Sequence, residues 1–276
     1  MMLDQIAQLC LSHFLCQFDP KSTKRLTQDV VREVALEVYS EEKVDEFIDY
    51  RLAKFQATLV EEFNQRLADK RPLRFQIADD AGIGKIVAGN NQKKKLAGEI
   101  RFQNSLHRTS AADFEKLAAI VLRVLGCQEV FSTPSSHDQG VDAFGYQSLV
   151  QPTPYGVTHG LTWIAQAKHY MSTQVTTGDV RELVGSKELL VAKVFSTVDE
   201  RYKELRLRSY APTAVALVTT EEIPTTVRRL ADGAGVFVFA SSDLFYLLGP
   251  SLKKKFTVAA VRALISKEAK TIRTLT

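Results

Sequence analysis

The sequence predicts an α/β fold: a mixed central sheet flanked by helices, preceded by a helical N-terminal region. Three observations lead there. Residues 1–70 repeat apolar side chains at spacings of three and four, the period of a buried helix stripe. From residue 106 the pattern changes to helices alternating with short strand-like runs. Among those runs, three in close succession read as an antiparallel meander. A later strand–helix–strand order demands a parallel crossover, so the sheet is mixed.

The elements follow in order. Val30, Val34 and Val38 repeat every four residues. Val44, Phe47, Ile48, Leu52, Phe55, Leu59 and Phe63 continue at helical spacings, and Asp19-Pro20 breaks the first helix from the second. The run "GIGK" at 82–85 is similar to a phosphate-binding loop, but Ile86 stands where Ser or Thr would ligate magnesium. Asp79 occupies the first glycine position, so the run reads as a glycine-containing turn. "GNNQKKK" reads as an exposed basic linker. Ser110 and Asp113 form a capping box for a helix whose stripe is Phe114, Leu117, Ala118, Val121, Leu122 and Leu125, ended by Gly126. Strands are expected at 128–133, 141–150 and 161–170, separated by the turn "PSSHDQG" and a proline-containing connection. A helix capped near Thr177 follows, then a strand at 213–220, a helix at 223–234, a strand at 236–240 and a short helix at 242–248.

Composition narrows the class. The chain has 276 residues, 45% hydrophobic and 25% charged, enough to bury a sizeable core. No apolar run has the length of a membrane span, and the N-terminal stretch reads as a helix rather than a signal peptide. Three cysteines do not make a disulfide framework, which favours a reducing compartment. Cys10, His13 and Cys16 match no metal-ligand spacing and lack a fourth ligand, so they read as buried helix residues. The net charge of +4 is unevenly spread. Residues 1–105 balance to zero, 106–250 carry −2 and 251–276 carry +6. A basic helix end can contact phosphates, and the same residues fit a solvated helix face.

One strand carries a chemical question. In "WIAQAKHY" (163–170), Gln166 and Lys168 share a face, since strand side chains alternate. Asp142 sits in the preceding strand, and Glu115 lies at the border of the preceding helix's apolar stripe. A carboxylate and an amide oxygen converging at one sheet edge suit a hard cation such as Mg2+. A lysine beside them can orient water and offset charge on phosphate. His137 and His169 flank this group and read as ordinary loop or strand residues. Thr219 and Thr220 close a strand.

These pieces resemble the Mrr-like restriction endonucleases, a branch of the PD-(D/E)xK nuclease superfamily. The resemblance is carried by "DFEKLAAIVLRVLGC", "PSSHDQGVDAFG", "WIAQAKHY", "DVRELVGS" and the strand–helix–strand–helix run from Ala214, covering roughly 106–250. It implies a PD-(D/E)xK nuclease core with Asp142 as the primary metal carboxylate. Gln166 stands where most of the superfamily has Glu or Asp and would ligate the metal, with the Ala167 carbonyl as a further ligand. Lys168 would position the nucleophilic water, and Glu115 would complete the site. The implied activity is hydrolysis of DNA phosphodiesters with Mg2+, or Mn2+ in its place, serving restriction or anti-phage defence in the cytoplasm. Double-strand cutting implies a homo-oligomer, and a co-encoded defence protein could activate it. Two departures stand out: Gln139 replaces a glycine of the usual Asp-Gly-Gly-x-Asp, and no winged helix is recognisable in 1–105. The chain thus divides into a helical region (1–105) for partner, oligomer or DNA contacts, a nuclease domain (106–250) and a basic C-terminal helix (251–276). Two other readings use the same residues: a nuclease for RNA or DNA junctions, and a nucleic-acid-binding or assembly module without independent activity.

Overall fold

A computed structural model of the chain describes residues 2–18, 25–69, 71, 73–77, 82–84, 90–133, 140–150, 158–171, 174–192, 205, 207, 212–253 and 255–274. It divides into two units. The first comprises Met1–Ala97 with Met171–Gln174 and Glu221–Thr225; the second holds the remainder.

In the first unit the apolar stripes become helices α1 (Met2–Ser12), α2 (Thr27–Leu36) and α3 (Glu41–Ala68), with one π turn at His13–Gln17. They close on Ile6, Cys10, Phe14, Phe18, Val30, Val31, Val34, Val44, Phe47, Phe55 and Leu59. Phe14 is the hub of an aromatic cluster, with ring centroids 5.4 Å from Phe18 and 5.7 Å from Phe75. Val38, expected on the second stripe, falls beyond the end of α2 and is 64% exposed. A small sheet was not anticipated. Strands β1 (Arg25–Leu26), β2 (Gln76–Ile77) and β3 (Gly82–Gly84) pair antiparallel with β3 in the middle, so "GIG" is a strand rather than a turn. Asp79, Lys85 and Ile86 lie outside the described residues.

This unit also buries charge. Arg66 Nη1 lies 3.3 Å from Glu222 Oε2, Arg71 Nη2 3.1 Å from the same oxygen, and Arg66 Nε 3.7 Å from Glu62 Oε2. Glu62 also accepts from the Thr225 amide (2.5 Å) and hydroxyl (3.1 Å). Buried carboxylates need such partners, because desolvation of each unpaired ion costs several kcal/mol.

Helix α4 (Asn90–His107) has Gly98–His107 in the second unit, and "NNQKKK" forms its start and is not a linker. Its Phe102 and Leu106 enter the second core, which explains a helix whose first turns carry no apolar stripe. Helix α5 (Ala111–Val124) begins as read: Ser110 Oγ accepts from the Asp113 amide at 3.1 Å, and Gly126 terminates it at φ +106°. The sheet is built from β4 (Glu129–Ser132), β5 (Ala143–Val150), β6 (Thr158–Lys168), β7 (Thr213–Thr219) and β8 (Val236–Phe239). Helices α6 (Thr177–Val191) and α7 (Thr225–Gly233) make the crossovers. Helices α8 (Ser241–Leu248) and α9 (Val258–Glu268) follow. Two C-terminal residues, β9 (Arg273–Thr274), add a parallel edge strand beside β4. Strand order is β8-β7-β6-β5-β4-β9: antiparallel through β4, β5 and β6, parallel from β6 to β8. The result is the mixed sheet flanked by helices that the alternation predicted. One face, with Ala143, Ala165 and Ala216, packs on α5, α8 and α9. The other, with Phe131, Phe144 and Ile164, packs on Leu190 of α6 and on Leu205 and Leu207. No described helix is long and apolar enough to cross a membrane.

Candidate active site

Register decides which residues meet. Strand β5 runs antiparallel to β6 with Ala143 opposite Ala165 and Phe144 opposite Ile164, so Asp142, just before β5, falls opposite Gln166. Its main chain continues the ladder: the Asp142 amide donates to Ala165 O at 3.0 Å, and its carbonyl accepts from the Thr133 amide at 3.0 Å. Its side chain reaches across, and Oδ2 accepts from the Ala167 amide at 2.6 Å. The carboxylate is thereby anchored to the backbone of the Gln-x-Lys strand itself, and Asp142 is only 5% exposed.

Gln166 is 4% exposed, and its Oε1 is buried without a hydrogen-bond partner among the described residues. Such an atom costs about 1–3 kcal/mol unless something outside the chain satisfies it. This orphaned oxygen, beside a backbone-held carboxylate, fits a divalent cation or its water. No group of three or more His, Cys, Asp or Glu disposed to hold a metal occurs among the described residues.

Gly140 lets the chain pass close beside Gln166. Its φ of +80° favours glycine, and a Cβ there would come 2.9 Å from Ser186 Oγ and 3.2 Å from Gln166 Nε2. His137, Asp138 and Gln139 lie outside the described residues.

Lys168 stands one turn of the alternation beyond Gln166, on the same face, and pairs with β7 at Thr219. Its Nζ is 3.3 Å from Glu182 Oε2 and 3.5 Å from Asp179 Oδ1, both on α6. Asp179 is the better-held partner. Burial alone would raise its pKa, but bonds from the Thr176 amide, the Tyr170 hydroxyl and the Thr176 hydroxyl, together with the Lys168 charge, hold it below the ordinary carboxylate value. Burial, with the bond to Asp179, pushes the Tyr170 hydroxyl upward. The helix is capped one residue before the expected Thr177. Thr176 is the N-cap, and its box with Asp179 was the available signal.

Glu115 comes from α5, which packs on the Ala165 face, opposite the face of Gln166 and Lys168. It is half-buried, next to Phe114, whose ring centroid is 5.4 Å from His169. The structure therefore groups Asp142, Gln166, Ala167 and Lys168, while Glu115 lies on the helix that covers the other face of the sheet. The His169 ring is occupied structurally, with Nε2 3.1 Å from Leu106 O. Thr220 is structural too: its hydroxyl accepts from the Tyr170 amide and donates to the Tyr170 carbonyl.

Residues 106–200 match the restriction endonuclease family model Mrr_cat. This Mrr-like stretch contains Asp142, Gln166, Lys168 and Asp179. Among solved structures, MspJI restriction endonuclease in complex with a 27-mer oligonucleotide is similar at 17% identity. It covers 69% of this chain and 42% of that one, with a TM-score of 0.47. The DNA modification-dependent restriction endonuclease AspBHI is similar at 17% identity over 76% of this chain and 48% of that one, TM-score 0.44. Protein VC1899 from Vibrio cholerae follows at 13% identity over 94% and 56%, TM-score 0.25. The chain thus spans less than half the length of the first two. No curated protein matched.

Proposed function

We propose that this chain is a divalent-metal-dependent DNA endonuclease acting in restriction or anti-phage defence in the cytoplasm. The observation that carries this reading is the meeting of Asp142 with Gln166-Ala167-Lys168 across neighbouring strands, the acid anchored on the Ala167 amide. Mg2+, with Mn2+ as substitute, would be held by the Asp142 carboxylate, Gln166 Oε1 and the Ala167 carbonyl. When bound, such an ion polarises the phosphate and acidifies a coordinated water.

The chain's own groups supply the rest. Asp142 brings the only formal negative charge of that ligand set, so metal binding is weaker and more conditional than with two carboxylates. Lys168 brings a cation to the Gln166 side of β6, where it orients water and offsets charge developing on the phosphodiester. Glu115 would complete the site through water. Residues 106–250 are the catalytic domain, the 1–105 region serves partner or oligomer contacts, and the basic 251–276 segment adds non-specific phosphate affinity. Two copies working together would cut both strands.

A partner-activated version is favoured by one feature, the net −2 charge of residues 106–250, which makes a poor stand-alone DNA surface. The test is cleavage of modified and unmodified plasmids with Mg2+ or Mn2+, using wild type, Asp142→Ala and Lys168→Ala, with circular dichroism as the folding control. Loss of cutting by both folded variants is expected. Undiminished cutting by both overturns the site. Cutting of RNA or junctions in preference to duplex DNA overturns the substrate.

A further inference from the structure

The capping box of α6 explains only half of Asp179. Its Oδ2 accepts from the Thr176 amide (2.7 Å) and hydroxyl (2.9 Å), which closes the box. Its Oδ1 faces the other way: the Tyr170 hydroxyl donates to it at 2.7 Å, and Lys168 Nζ lies 3.5 Å from it. Helix capping makes no use of that second oxygen.

We propose that Asp179 is the positioning residue of Lys168, a carboxylate locked by Thr176 and Tyr170 that holds the lysine ammonium on the Gln166 side of β6. The proposal rests on the nuclease reading above. A lysine is a point charge on a flexible four-carbon stem, so its head must be held if it is to meet a phosphate in one geometry. Asp179 can hold it because three bonds that do not involve the lysine already fix both oxygens. Tyr170 is fixed in turn. Its amide donates to Thr220 Oγ1 at 2.9 Å, and its carbonyl accepts from that hydroxyl at 2.6 Å. Thr220 follows Thr219, the β7 partner of Lys168, so the chain of bonds returns to the strand it serves. Glu182 offers a contrast. It lies 3.3 Å from Nζ, but its side chain is 56% exposed and nothing else among the described residues anchors it. An unanchored surface carboxylate follows the lysine and cannot aim it.

The experiment compares wild type with Asp179→Asn, Thr176→Val, Glu182→Gln and Tyr170→Phe in the full chain. Three quantities are read: Mg2+-supported plasmid nicking, separated into kcat and KM; amine labelling of Lys168 at neutral pH, followed by peptide mass; and the melting temperature. Asp179→Asn should lower kcat roughly 10–100-fold, the range of a lost supporting group, with KM within about twofold, and Lys168 should label faster. Thr176→Val keeps the bonds from the Thr176 amide and the Tyr170 hydroxyl, one on each Asp179 oxygen, and loses only the hydroxyl cap, so it should lower the melting temperature comparably while keeping kcat within about threefold. Glu182→Gln should lose less than Asp179→Asn. Equal kcat losses for Asp179→Asn and Thr176→Val would show a purely structural role and overturn the proposal. So would wild-type labelling of Lys168 in Asp179→Asn. If Asp179→Asn does not fold, Tyr170→Phe decides by the same two readouts, because it frees Oδ1 and leaves the box intact. If wild type shows no Asp142-dependent cleavage, the nuclease reading fails. The labelling rates then decide alone whether Asp179 holds the lysine.

Discussion

Gln166 is the residue on which affinity for the metal turns. Its buried Oε1 lacks a partner among the described residues, so the fold tolerates a cost that a bound ion or its water would remove. Two substitutions separate these effects. Gln166→Glu adds a charge and should lower the Mg2+ concentration for half-maximal cleavage roughly tenfold, read from a metal titration. Gln166→Leu removes the orphaned amide and should end cleavage while leaving the melting temperature level or higher; a large fall in stability would show that the amide is satisfied in the free protein. Gly140 is the steric counterpart. Gly140→Ala must hold a left-handed backbone, costing about 1–2 kcal/mol, and must displace Ser186 and Gln166. A lower melting temperature together with weaker metal-dependent cleavage is expected. Gln166 and Lys168 were legible as a pair because strand alternation puts them on one face, and Asp142 because it stands in the segment just before; its place opposite Gln166 came only from the register. The orphaned oxygen and the bond from Ala167 to Asp142 were not, because they depend on side-chain direction across two strands.

At the scale of elements, α3 and α6 each place a charge where it is anchored. Breaking the buried network by Glu222→Gln or Arg66→Ala leaves an uncompensated ion and should cost about 3–5 kcal/mol, read from denaturant unfolding. Helix α6 should give stability a pH signature. Asp179 titrates lower in the folded chain than in the unfolded one, near the ordinary carboxylate value. It therefore adds stability above that unfolded value and loses it as pH falls through the lower folded value. The acid limb of a melting-temperature profile should flatten in Asp179→Asn; an unchanged limb would show that Asp179 does not contribute to it. Elements with strong local signals were read well: α5 with its Ser110 cap and Gly126 stop, and the β4–β5–β6 meander. Elements made by packing were not. The start of α4 is polar and basic, and among its described residues Phe102 and Leu106 near its end tie it to a core. Strands β1, β2 and β9 have two residues each, too short for any period to show.

For the whole molecule, two buried thiols offer independent reporters, Cys10 in the first unit and Cys127 in the second. Burial pushes each up to about 12, so both should resist thiol reagents at neutral pH until their unit unfolds. Peptide-resolved labelling against denaturant checks this; rapid labelling of either in the native protein would contradict its burial. The sequence by itself determined the class of fold, the antiparallel meander that ends in "WIAQAKHY", and the sharing of one face by Gln166 and Lys168. All of these follow from covalent geometry and from periods that a single segment carries. Only the tertiary structure decided that Asp142 is held by the Ala167 amide, that Lys168 is met by Asp179 and Glu182, and that the helix of Glu115 covers the opposite face of the sheet. Those facts depend on which helix covers which face of the sheet, and packing settles that between residues far apart in the chain.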